Sequence, residues 1–173
     1  DETMAAAAFA VQDTWSPVLH ASLKSHYAGR AILVAGADGF LGYNCVLALR
    51  ALDAKIFIIA FGAKLRSSHF ADGVFQGNLD DAGTAEFAAG KSIVFDLAGS
   101  GCATASLANM SGAFERECLP HVRFLGACAE LSPAPFVVFP SSRMVYGRPR
   151  SLPVTEESAP APLDISEKRC RTY

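Results

Sequence analysis

Three glycines at three-residue intervals, Gly36, Gly39 and Gly42, join a continuous apolar run, Ala31-Ile32-Leu33-Val34-Ala35, to a stretch of helical spacing from Tyr43 to Leu52. The run is that of a parallel strand covered on both faces, and Val46, Leu47, Leu49 and Leu52 can form one buried helix face. Glycine is required where a Cβ would block a tight turn, a close ligand approach or helix–strand packing. The helix that follows presents unpaired N–H groups and the positive end of its dipole, which suits a phosphate. The spacing therefore points to a nucleotide loop, with a purely structural strand-to-helix turn as the other reading.

The pattern then repeats. Ile56 to Phe61 reads as a second strand, Val74 to Gln76 as a weaker third, Asp80 to Ala89 as a short helix and Ser92 to Ala98 as a fourth strand. A long helix follows over 112–131, with Pro120 as its kink or break, and Phe136 to Phe139 is a fifth strand. Strands alternating with helices predict right-handed βαβ units and a doubly wound parallel sheet, an α/β Rossmann-like fold. Residues 4–28 read as a helical preface with Pro17 at a first turn, ending near Gly29. Between Arg148 and Leu163, four prolines among Ser, Thr and Glu predict an irregular loop over the carboxyl ends of the strands.

Composition narrows the functional classes. The chain has 173 residues, 51% hydrophobic and 18% charged, with formal net charge -2. A domain of that size can bury roughly 70% of its unfolded surface without a staple. Fifteen basic against seventeen acidic residues give no field that would hold nucleic acid by its phosphates. Five cysteines form no C-x-x-C pair, and the four histidines are scattered, so reduced buried thiols are expected and a metal site is not. No apolar run reaches the ~20 residues that span a bilayer, and Asp1 and Glu2 have the wrong sign for a secretory leader. The expected setting is the cytoplasm, with no membrane partner.

Several later segments, taken in order with the glycine loop, resemble the short-chain dehydrogenase/reductase superfamily. Gly36-x-x-Gly39-x-x-Gly42 is similar to that superfamily's G-x-x-G-x-x-G, and Gly77-Asn78-Leu79-Asp80 to its G-D-[LV] segment. Phe95-Asp96-Leu97-Ala98-Gly99 is similar to its fourth-strand H-x-A-[AG] segment. Phe139-Pro140-Ser141-Ser142-Arg143-Met144-Val145-Tyr146-Gly147 resembles the S-S-x-x-V-Y-G segment of the extended branch, the nucleotide-sugar epimerases and dehydratases. Pro153, Glu156 and Pro162 follow as the P…E…P loop does there. The resemblance covers about residues 30–170, and its last segment is the most specific.

The resemblance implies NAD or NADP as cofactor and a nucleotide-sugar substrate epimerised or oxidised through a keto intermediate. It places Gly36, Asp38, Gly39, Phe40, Leu41, Gly42, Arg66, Asn78, Leu79, Leu97, Ala98 and Gly99 at the cofactor. Ser142 would bind the reacting oxygen, and Lys168 would hold the nicotinamide ribose. A serine that merely ends the fifth strand is the alternative for Ser142. Dimerisation through the long helix is the family's habit.

The match also fails at identifiable places. The superfamily's acid/base is the tyrosine of Y-x-x-x-K, yet four residues before Lys168 stands Asp164, with Ser166 nearby and Tyr173 beyond. Aspartic acid is too acidic for the task and serine barely acidic. Either a stretch between Ile165 and Glu167 is missing from this sequence, or the protein has no catalytic phenol and holds NAD(P) as a sensor or structural ligand. Whether the chain is an enzyme stays open on the sequence alone. Arg143-Met144 also lacks the Asp-Glu pair of the 4,6-dehydratases.

The second strand ends in Ile59-Ala60-Phe61-Gly62, without the acid that selects NAD, and Asp53 lies before that strand. Lys64 and Arg66 suit a 2′-phosphate or serve as solvated loop charges. Asp96 and Glu117 stand where the family has His and Asn; buried, such acids need partners. The expected organisation is a helical extension over 1–29 and an NAD(P)-binding Rossmann domain over 30–173. The substrate lobe then lies outside this sequence, which points to a fragment or a reduced relative.

Overall fold

In a computed structural model of the chain, residues 15–62, 65–99, 110–149 and 151–162 are described, Met110 and Met144 by backbone alone. The chain divides into two compact units, Asp1–Gly99 with Arg123–Phe139, and Ser100–Val122 with Pro140–Tyr173.

The first unit opens with α1, Pro17–Tyr27. Ser16 caps it, its Oγ accepting from the Leu19 N–H at 3.2 Å, and Pro17 takes the first helical position, where a missing N–H costs nothing. None of its residues is buried. Lys24 reaches Asp53 at 2.7 Å and holds that carboxyl below its ordinary range, but the pair is exposed and adds little stability.

Strand β1, Ala31–Ala35, follows, then α2, Phe40–Ala51, and β2, Lys55–Ala60. A 3-10 turn at Arg66–Phe70 leads into β3, Gly73–Gln76; α3 is Thr84–Ala88 and β4 is Ile93–Asp96. Residues 123–130 of a later helix and β5, Phe136–Val138, complete the unit. The five strands are parallel in the order β3-β2-β1-β4-β5.

Alternation along β1 explains the layers. Ile32 and Val34 pack with Val46, Leu47 and Leu49 of α2 and with Ile56 and Ile58. Leu33 and Ala35 face the other side, against Ile59, Val94, Ala88, Phe124 and Cys128. The four residues from Ile32 to Ala35 have no exposed surface. Ile32, Leu33 and Val34 each contribute about 1.5–3 kcal/mol by leaving water, so the sheet is held from both faces. The expected doubly wound parallel sheet is therefore the observed fold.

The second unit holds α4, Met110–Glu117, the first residues of α5, Leu119–Glu130, and a 3-10 turn at Arg143–Tyr146. The single helix expected over 112–131 is thus two helices, and Pro120 is the reason. At the second position of α5 its missing N–H and fixed φ fit a helix start and not an interior. Residues 147–162 contain no helix or strand where described, as their prolines predict, and Ala161 N–H returns to the Val145 carbonyl at 2.8 Å.

Other boundaries shift for local reasons. Helix α2 begins at Phe40, three residues earlier than its apolar periodicity indicates, because Phe40 and Leu41 form the first turn while lying 84% and 58% exposed. Helix α3 begins only at Thr84, since Asp81 closes a turn by accepting from the Asn78 N–H at 2.7 Å. Among the described residues no helix is long and apolar enough to cross a membrane.

Ile58→Ala should cost about 2–5 kcal/mol, a cavity in a fully buried layer, and urea unfolding of the two proteins measures it. Burial raises the Cys45 thiol to about 12 and, with the Asp96 charge adding to burial, the Cys128 thiol to about 11. Both should therefore alkylate at pH 8 at least tenfold more slowly in the native protein than in urea, as mass spectrometry of iodoacetamide-treated samples would show.

Candidate functional site

The strand order locates the site before any side chain does. From β1 the chain steps to β2 and β3 on one side, and then crosses to β4 and β5 on the other. A crevice opens beyond the carboxyl ends of β1 and β4, where that order reverses. In this structure a cleft of about 230 Å³ lies there, lined by Gly36, Asp38, Gly39, Phe61, Leu97 and Gly99.

The loop that floors the cleft is closed to larger residues. Gly36 has φ +71°, and a Cβ there would sit 2.7 Å from the Leu97 carbonyl oxygen and 2.8 Å from the Ala98 backbone. At Gly42 a Cβ would fall 2.1 Å from the Gly36 carbonyl oxygen. The intervening backbone is pinned by Gly39 N–H to the Gly36 carbonyl at 3.0 Å. Helix α2 then starts, and Tyr43 N–H is the first to meet a carbonyl of the helix, that of Gly39 at 2.9 Å. The N–H groups of Phe40, Leu41 and Gly42 precede it and have no intrahelical acceptor, which makes this turn an anion seat.

Asp38 is fastened from across the loop. Its Oδ1 accepts from the Ser67 N–H and the Ser67 hydroxyl, both at 2.8 Å, and Ser67 is fully buried. Its Oδ2 is buried and has no hydrogen-bond partner among the described residues. Arg66 donates Nη2 to the Asp38 carbonyl at 3.3 Å, and its guanidinium lies 4.3 Å over the Tyr43 ring. The 3-10 turn after β2 thereby fixes the rim of the cleft.

The structure thus brings Gly36, Asp38, Gly39, Leu97 and Gly99 together, with Phe40, Leu41 and Gly42 as the adjoining helix start and Arg66 at the rim. Ala98 is the backbone neighbour of Gly36, its own N–H reaching Asp96 Oδ1 at 3.4 Å. Asn78 and Leu79 are different. Leu79 is buried in the core with Phe124 and Ala88, so it supports the sheet and does not line the cleft. Asn78 is held in the turn after β3, its carbonyl accepting from Thr84 Oγ1 at 3.1 Å.

Asp96, the acid at the end of β4, is fully buried. Ser142 belongs to the second unit, where its carbonyl accepts from Val145 N–H at 3.0 Å and starts the 3-10 turn. Lys64, Asp164, Ser166, Lys168 and Tyr173 lie outside the described residues.

Two participants were not singled out from sequence. Phe61 walls the cleft, and its signal is only its place as the first residue beyond β2. Ser67 anchors Asp38 through a contact 29 residues apart in sequence, which no local pattern encodes.

A three-layer sheet whose glycine loop lies at the point of strand reversal defines the Rossmann-like α/β class. Residues 32–169 match the NAD dependent epimerase/dehydratase family, and the chain belongs to that family. Solved structures agree in fold. UDP-glucose 4-epimerase from Brucella ovis, in complex with NAD, superposes with a TM-score of 0.73 at 23% identity, over 83% of this chain and 45% of that one. UDP-N-acetylglucosamine 4-epimerase from Methanobrevibacter ruminantium M1, in complex with UDP-N-acetylmuramic acid, gives 0.70 at 22%, over 83% and 48%. The UDP-glucose-4-epimerase of Stenotrophomonas maltophila, with bound NAD and formylated UDP-arabinopyranose, gives 0.72 at 19%, over 82% and 46%. The chain therefore spans just under half the length of each. No curated protein matches it in a sequence comparison.

Gly42→Ala should destabilise the fold by roughly 2 kcal/mol or more, because backbone and not a flexible side chain stands in the way. Gly29→Ala is the control: its φ of +72° strains any side chain but open space surrounds it, whereas Gly42 has no positive φ and meets backbone. Thermal unfolding of the pair separates loop packing from backbone strain, with the larger loss expected at Gly42.

Proposed function

We propose that the chain is the NAD(P)-binding part of a nucleotide-sugar epimerase or related oxidoreductase. The observation that carries this reading is the cleft at the reversal of strand order, floored by the loop of Gly36, where a Cβ would meet backbone at 2.7 Å. The residues fit a dinucleotide. Gly36 and Gly39 leave room for a pyrophosphate, the α2 amino end supplies N–H donors to it, and Leu97 to Gly99 bound the opposite wall. The NAD-bound epimerases that share this fold support the same assignment.

A nicotinamide cofactor bound here supplies a hydride acceptor for oxidation of a sugar hydroxyl and returns the hydride to the keto form. The chain's own part is to hold and orient. Ser142 would donate its hydroxyl to the reacting oxygen, and Lys168 would secure the nicotinamide ribose. UDP-sugars are the proposed substrate class, because epimerases of this fold are solved with UDP-sugar ligands. The proposal extends to a cytoplasmic protein that pairs through the 110–130 helices, with residues 30–173 as the Rossmann domain and 1–29 as its extension. No role for nucleic acid, a membrane or a metal enters it.

One observation favours a second reading. No tyrosine stands four residues before Lys168, and Asp164 there is far more acidic than a phenol and too weak a base for its task. A protein that holds NAD(P) without turning over a sugar would tolerate that substitution.

Titration of the purified chain with NADH tests the primary reading. Nicotinamide fluorescence should rise saturably, and Gly36→Val should weaken the interaction at least tenfold; a flat titration overturns it. Incubation with UDP-glucose and other UDP-sugars then separates the two readings. Epimer formation supports the enzyme, and saturable binding without product supports the holding role.

A further inference from the structure

We propose that Asp38 is the residue that selects the dinucleotide at its adenine ribose, favouring a free 2′-hydroxyl (NAD) over a 2′-phosphate (NADP). The inference rests on the dinucleotide reading of the cleft and adds to it the residue that discriminates. Discrimination at that ribose ordinarily needs an acid near the end of the second strand, where it accepts from the 2′-hydroxyl. Here β2 runs out into Ala60, Phe61 and Gly62, none of which has a carboxylate. The acids that flank β2 serve its other end. Asp53 precedes the strand and pairs with Lys24, and Asp72 accepts from the Ile56 N–H at 2.7 Å.

Asp38 is the acid that lines the cleft, together with Phe61 at the β2 end. Its two oxygens are unequal. Oδ1 is satisfied twice by Ser67, whereas Oδ2 is buried without a partner among the described residues. A buried acceptor left without a donor is unfavourable, and a turn of the carboxylate that opens Oδ2 to an arriving hydroxyl would relieve it. A phosphate brings no donor and adds negative charge beside a carboxylate, so the same group that accepts a 2′-hydroxyl repels a 2′-phosphate.

Of the two cations that the sequence offers to a 2′-phosphate, Lys64 lies outside the described residues and Arg66 is engaged elsewhere. It donates to the Asp38 carbonyl and lies over Tyr43, so its contacts brace the acid's own loop. Ser67 fixes the carboxylate from the same turn, which makes the residues after β2 the support and Asp38 the reader.

Isothermal titration of the purified chain with NAD, NADP and 2′-deoxy-NAD tests this without any turnover. The wild type should bind NAD at least tenfold tighter than NADP, and 2′-deoxy-NAD at least fivefold more weakly than NAD. Asp38→Asn keeps an oxygen for Ser67 and removes the charge; it should gain NADP affinity and shrink the NAD/NADP ratio at least fivefold. Thermal unfolding of Asp38→Asn, and its retained NAD affinity to within about tenfold, establish that the variant is folded. Equal or tighter binding of NADP by the wild type, or an unchanged ratio in Asp38→Asn, overturns the role of Asp38 while leaving the cleft a dinucleotide site. Failure of the wild type to bind any of the three overturns both.

Discussion

The rest of the site depends on one close approach, that of the α2 amino end to the Gly36 carbonyl. A hydrogen atom at Gly42 lets the helix begin there; a methyl would lie 2.1 Å from that oxygen. The contact fixes three things together. It aims the unpaired N–H groups of α2 beyond the carboxyl end of β1, and it sets Val46, Leu47 and Leu49 against Ile32 and Val34. It also leaves Asp38 at the apex of the turn, where Ser67 can hold it. Helix and strand could pack in other ways if judged by their apolar faces alone, since burial has no direction. The glycines supply the direction.

Legibility followed the range of the forces involved. Strand β1 was readable because a run buried on both faces needs five consecutive apolar residues, and Ala31 to Ala35 provide them. The break at Pro120 was readable because proline acts on its own backbone. The early start of α2 was not, since Phe40 and Leu41 are exposed and contribute nothing to an apolar stripe. The packing of Leu79 was not readable either. A motif places the residue in a segment that meets the ligand, whereas its side chain turns into the Phe124 layer. The part of the site set by long-range contact, Asp38 with Ser67 and Phe61 beside the glycines, has no local signature at all.

The two ends of the sheet are built for different purposes, and the polar groups show it. At the amino end of β2, Arg50 from the last turn of α2 donates Nε to the Phe70 carbonyl at 3.0 Å and Nη2 to Asp72 at 3.2 Å. Asp72 in turn accepts from Ile56 N–H, and its own N–H meets the Ile56 carbonyl at 2.6 Å. Strand, helix end and the 3-10 turn are thereby closed on one another, with the cation placed where the helix dipole favours it. At the carboxyl end polar groups are left without such partners among the described residues: the first N–H groups of α2 have no intrahelical acceptor, and one oxygen of Asp38, a residue of the cleft wall, is buried without a donor. A fold gains stability by satisfying its polar groups and gains a site by withholding partners from a few of them. Parallel strands make this division possible, since all five carboxyl ends lie on one side of the sheet and the clamp at Arg50 lies on the other.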